Sequence, residues 1–168
     1  TDVTTFVGSP GGGPLSLPDA ILGASADLRV LCFYDYSAVI NFNRTGRNAN
    51  VLTQQTVIQS GDVDSLDNEI HLRFAFVPVL DDAGHTAESQ PYFFIAVRNV
   101  TRGNALLYEA FAYANQPGIP WKTFNHSNGR TYRYTDWQVV DIAPGSASIA
   151  VGDTIVLEAI GAGCSQTG

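Results

Sequence analysis

The strongest pattern in the chain is a two-residue alternation. Residues 69–80 read EIHLRFAFVPVL, which puts Ile70, Leu72, Phe74 and Phe76 on one side of an extended backbone and His71 and Arg73 on the other. Similar apolar or alternating runs occupy 28–34 (LRVLCFY), 37–43 (SAVINFN), 51–59 (VLTQQTVIQ), 91–99 (PYFFIAVRN), 105–114 (ALLYEAFAYA), 136–143 (DWQVVDIA) and 154–160 (TIVLEAI). Turn-forming clusters separate them: SGDVDS, DDAGHT, TRGN, NQPGIP, NHSNG and APGS. ALLYEAFAYA has helical propensity, but its place between TRGN and NQPG in a strand-rich chain predicts a strand. Short strands in succession, with no long helical period, predict an all-β, antiparallel, jelly-roll-like sandwich in one domain spanning 28–168. Residues 1–27, with SPGGGP at 9–14, carry no sustained period and are expected to form a flexible or extended N-terminal arm. The glycines there are not followed by the Lys-Ser/Thr of a phosphate-binding loop.

Composition narrows the setting. The chain has 168 residues, 45% of them hydrophobic, enough for a substantial core, and 15% charged, against about a quarter in ordinary soluble domains. A surface of Thr, Ser, Asn, Gln and Gly points to a secreted, cell-surface setting. Net charge is -7, and the nine Lys and Arg are scattered. That excludes the clustered basic footprint of a nucleic-acid binder. No apolar run reaches the ~18 residues of a membrane-spanning helix, so membrane insertion is not expected.

The two cysteines, Cys32 and Cys164, lack the spacing of a metal motif. A disulfide between them is the favoured reading, implying an oxidising compartment; two buried thiols are the alternative. No GxSxG, HExxH or kinase signature is present, so the chain is not expected to be an enzyme, and a hydrolase is a distant third reading. The loop at 79–91 is the densest polar cluster. Asp81, Asp82 and Glu88 offer hard oxygen ligands for calcium, with His85 nearby; a solvated hairpin loop is the plainer reading. The segment GDVDSLDNE (61–69) places Asp62, Asp64 and Asn68 at alternating positions. It is not an EF-hand, since Arg73 stands where the closing Glu belongs; it reads as an acidic turn before a strand. Trp121 and Phe124 lie in a loop-like region rich in Pro, Asn and Gly, where exposed rings could stack on a sugar, with His85 as a further ligand contact; core packing is the alternative. Asn43, Asn99 and Asn125 sit in glycosylation sequons.

The stretch 74–99 resembles a jelly-roll, MAM-like module of large secreted bacterial surface proteins of adhesin type. The matching positions are Val79, Leu80, Asp81, Asp82, Gly84, His85, Gln90, Pro91 and Phe93, followed later by Trp137, Asp141, Ile142, Gly152, Asp153, Thr154, Ile155, Gly163 and Cys164. The likeness covers roughly 50–168. It implies an extracellular adhesive or structural role without catalytic residues. The chain departs from the family in lacking a second cysteine within 104–113, so that Cys32 becomes the expected partner of Cys164. It also ends at Gly168, where the family pattern has a last apolar strand. The expectation is a sandwich short of one strand, through truncation, cleavage or donation by a neighbouring copy. The leading expectation is therefore a fibre or filament subunit that pairs head to tail with itself. A carbohydrate-binding module recognising cell-surface glycans is the alternative.

Overall fold

The computed structural model describes residues 3–7, 22, 36–40 and 48–164. Its eleven strands are β1 (Val3–Val7), β2 (Tyr36–Ile40), β3 (Ala49–Val57), β4 (Leu72–Phe76), β5 (Val79–Asp81), β6 (Tyr92–Asn99), β7 (Ala105–Tyr113), β8 (Lys122–Asn125), β9 (Thr131–Tyr134), β10 (Gln138–Ile142) and β11 (Thr154–Ala162). Every described pairing is antiparallel. The all-β sandwich expected from the alternation is what forms. The only helical pieces among the described residues are short 3₁₀ turns at Ser60–Asp62 and Ala87–Ser89.

The main sheet has the order β3-β11-β6-β7. Strand β6 lies inside it, between β11 and β7, and its Ile95, Ala96 and Val97 are all buried, so both its faces are covered. The ladder between β6 and β7 shifts register between Val97 and Arg98. Such a bulge adds local twist at that edge. Against this sheet lies the β10-β4 ribbon. Alternation in β4 aims Phe74 edge-on at Tyr108 of β7, with centroids 5.3 Å apart, and Phe76 at Phe93 of β6, 5.7 Å apart. Ile58, Ile70, Val97, Ile149 and Ile155 form the buried centre between these layers.

A third sheet has the order β5-β9-β8. Its apolar side packs Tyr132 and Tyr134 with Val79, Phe124 and Trp137 around Leu22, which is fully buried. Thus Leu22, from the region read as an arm, contributes to the core. Strand β1 in the same region pairs with β2 from Val3↔Ile40 to Val7↔Tyr36. The strand expected at 28–34 lies outside the described residues.

Candidate functional site

The two layers part between the outer strand β3 and β4, leaving a cleft of about 640 Å³. Ile58, Val97, Ile155 and Leu157 form its apolar floor; Gln54 and Thr56 of β3 stand on one side, and Asp64, His71 and Arg73 on the other. The acidic turn at 61–69 shapes this rim. Its ends are joined by the Val63↔Ile70 bridge, and the Asp64 amide donates to the Glu69 carbonyl at 2.8 Å. Asn68 takes φ 62°, a left-handed conformation that Asn tolerates better than most residues. The Asp64 and Asp67 carboxylates accept the amides of Leu66 and Glu69, at 3.0 and 2.9 Å. Leu66 itself stands out into solvent, 92% exposed.

His71 and Arg73 project from the side of β4 opposite its apolar residues, as alternation requires. Arg73 pairs in register with Asp141 of β10, and its Nε donates to Asp141 Oδ2 at 3.0 Å. Arg73 Nη2 also donates to Asp64 Oδ2 at 3.2 Å. The His71 ring bridges two carboxylates, with Nδ1 at 2.7 Å from Asp141 Oδ1 and Nε2 at 2.9 Å from Asp67 Oδ2. Asp141, then Asp67, holds the imidazole pKa above its usual 6.5. The carboxylates move the other way. His71 and Arg73 lower Asp141, while the Leu66 and Glu69 amides lead in lowering Asp64 and Asp67. Because His71 Nε2 is engaged by a carboxylate rather than a hydroxyl, the arrangement is an ion-pair network and not that of a base activating a nucleophile.

The residues expected to hold calcium are deployed differently. Asp81 accepts Arg130 Nη1 at 2.8 Å. Asp82, nearly buried, accepts Arg133 Nε at 2.8 Å, Gln90 Nε2 at 3.0 Å and the Gly84 amide at 3.3 Å. Burial alone would raise the Asp82 pKa, but the Arg133 and Gln90 hydrogen bonds outweigh it and the net shift is downward. Glu88 sits exposed on the 3₁₀ turn, its carboxylate held by its own amide and by Thr86. A cation at Asp81 or Asp82 would have to displace a guanidinium. Among the described residues, the one grouping of His, Cys, Asp and Glu ligand atoms close enough to share a cation is Asp64, Asp67 and His71.

The proposed sugar-stacking rings are also in structural use. Trp121 is half-buried and its indole N–H donates to the Gln116 carbonyl at 3.1 Å. Phe124, on β8, packs with the cluster around Leu22 and Tyr134, and lies edge-on to His126. His85 is on the β5–β6 loop, half-buried. Cys164 follows β11 and is half-buried, whereas its expected partner Cys32 lies outside the described residues, as does Asn43. Asn99 is 0% exposed, and its Nδ2 donates to Ser148 O at 2.9 Å and Asp153 Oδ2 at 2.8 Å. That amide has no room for a glycan in the folded chain; Asn125 is exposed.

The site that sequence reasoning missed is the meeting of Asp64, Asp67, His71, Arg73 and Asp141. The outward placement of His71 and Arg73 was readable. Their partner on β10 was not, because the pairing of β4 with β10 is a fact of tertiary structure. No family model, curated protein or solved structure matches this chain.

Proposed function

We propose that this chain is an extracellular adhesive or structural β-sandwich that acts by strand pairing, with the outer edge of β3 receiving a strand from a neighbouring copy. The supporting observation is the character of β3. Its nine residues, ANVLTQQTV, contain no charge and no proline, and its nine-pair ladder with β11 runs without a bulge. Exposed edges normally carry Lys, Pro or a bulge, because an open row of N–H and C=O groups templates another strand. Among the described strands β3 is paired with β11 alone, and Thr53–Val57 is solvent-exposed. The cleft with its apolar floor runs alongside, so an added strand gains side-chain burial as well as backbone hydrogen bonds. The uncharged, Thr- and Gln-rich exposed run of β3 and the low overall share of charged residues, 15%, fit an extracellular setting.

Sedimentation velocity over a concentration series tests this reading. Wild type is expected to form progressively larger species, while the double variant Thr53→Lys and Gln55→Lys stays monomeric with an unchanged circular dichroism spectrum. A monomer at every concentration, or assembly unaffected by the two lysines, would overturn it.

A further inference from the structure

We infer that Asp64, Asp67 and His71 form a binding site for a divalent transition-metal ion of the zinc type, at the mouth of the cleft. The ligand atoms lie within 4.8 Å of one another. Zinc takes imidazole nitrogen and carboxylate oxygen at about 2.0–2.2 Å, so enclosing an ion requires these atoms to move inward and the long 3.2 Å bond from Arg73 Nη2 to Asp64 Oδ2 to open, while Arg73 keeps its Nε bond to Asp141. An imidazole in the set disfavours calcium, which prefers an all-oxygen shell, and favours a borderline ion.

Three features make this more than a patch of acid. The first is the orientation of the histidine. His71 Nδ1 lies 2.7 Å from Asp141 Oδ1. With Nδ1–H donated to Asp141, a deprotonated Nε2 would be the ligand atom, the arrangement commonly found behind metal-bound histidines. Nε2 faces Asp67 Oδ2 at 2.9 Å, and the ion would enter between these two atoms, replacing the shared proton. Second, Asp141 is itself anchored by Arg73 Nε at 3.0 Å, on a paired strand rather than a free loop. Third, the Asp64 and Asp67 side chains are 23% and 48% exposed, which gives the ion an entry path and leaves a coordination position open to water. The site does not depend on the strand-pairing reading, because every proposed ligand belongs to one chain.

The binding step is a simple exchange. A zinc ion binds, the Nε2 proton of His71 is released to buffer, and Nδ1–H remains donated to Asp141. The test is a titration of the chelator-treated protein with zinc chloride, followed by calorimetry and by the imidazole NMR resonances. The expected result is one equivalent bound, with proton release, and a shift confined to His71 among His71, His85 and His126. His71→Gln and Asp67→Asn should each weaken binding more than a hundredfold. Asp141→Asn should weaken it about ten- to a hundredfold, as loss of an outer hydrogen bond to a ligand does. Should a variant fail to fold, the wild-type resonances still decide. No binding, or binding that shifts His85 or His126 and leaves His71 unmoved, would overturn the site.

Discussion

His71 and Asp141 are seventy residues apart in sequence, yet the ring Nδ1 and carboxylate Oδ1 meet at 2.7 Å. The contact ties His71, which leads from the acidic turn into β4, to strand β10. With Asp67 on the other ring nitrogen and Arg73 on the other oxygen of Asp141, it makes one connected set of charges on the rim of the cleft.

This set makes stability pH-dependent. Asp141 and Asp67 raise the His71 pKa in the folded state above 6.5. The folded protein therefore binds that proton more tightly than the unfolded chain. The contribution is fully present below the unfolded value and fades as pH rises through the raised folded value. Asp64, Arg73, Asp67 and Asp141 are the charged groups around the ring, and the lowered carboxylate values add stability that is lost only in strong acid. In chelator, the melting temperature of the wild type should fall from pH 6 to pH 9, and that of His71→Gln should fall less. Equal slopes for the two proteins would contradict the assignment.

Asn99 links two loops. Its side-chain amide donates to Asp153 and Ser148, while its Oδ1 accepts the Arg102 amide at 3.2 Å. Arg102 Nε in turn reaches Asp153 Oδ2 at 2.7 Å. Asn99→Ala removes a fully buried donor pair and strands their acceptors, so it should cost about 1–3 kcal/mol in denaturant unfolding. A change within experimental error would mean that water replaces the amide.

Core and surface positions should separate cleanly. Ile155 is 4% exposed at the centre of the main cluster, and Ile155→Ala should cost about 2–5 kcal/mol. Val139, on β10, is 59% exposed, and Val139→Ala should stay within about 0.5 kcal/mol. Urea midpoints for the two variants check both values. Similar costs would mean that the β10 face is covered.

Asp82 is placed as a partner for arginine. Asp82→Ala leaves Arg133 facing a nearly dry site and frees Gln90 Nε2, so it should destabilise by about 2–4 kcal/mol with calcium or with chelator alike. A loss seen only in calcium would instead favour the cation role expected from the loop sequence.

Strand β6, covered on both faces, shows as a continuous apolar run, while period-two alternation marks the strands that bury one face, where the pattern has to be strict. The run 105–114 is strand β7 rather than helix for the same reason. Two features were read less well. The run 69–80 looked like one strand, but Pro78, buried and without an N–H, falls between β4 and β5, which go to different sheets. The β8–β9 hairpin carries no strand pattern in the sequence, because its strands are four residues each and mostly polar or aromatic. Its signal was Asn128-Gly129. Gly129 takes φ 84°, its amide donates to the His126 carbonyl at 3.0 Å, and the hairpin closes as His126 N donates to Arg130 O. The charged cluster was half legible. Its β4 side follows from alternation, while Asp141 is supplied by a strand pairing that no local pattern encodes.

Hydrogen exchange of the β3 amides at low and high protein concentration tests the strand-pairing account most directly. The account predicts that the alternate amides within Val51–Val57 that point away from β11 gain protection only at high concentration, while those bonded to β11 and those of β6, inside the sheet, are protected throughout. Unchanged exchange along β3, or concentration-dependent protection confined to the opposite outer strand β7, would contradict it.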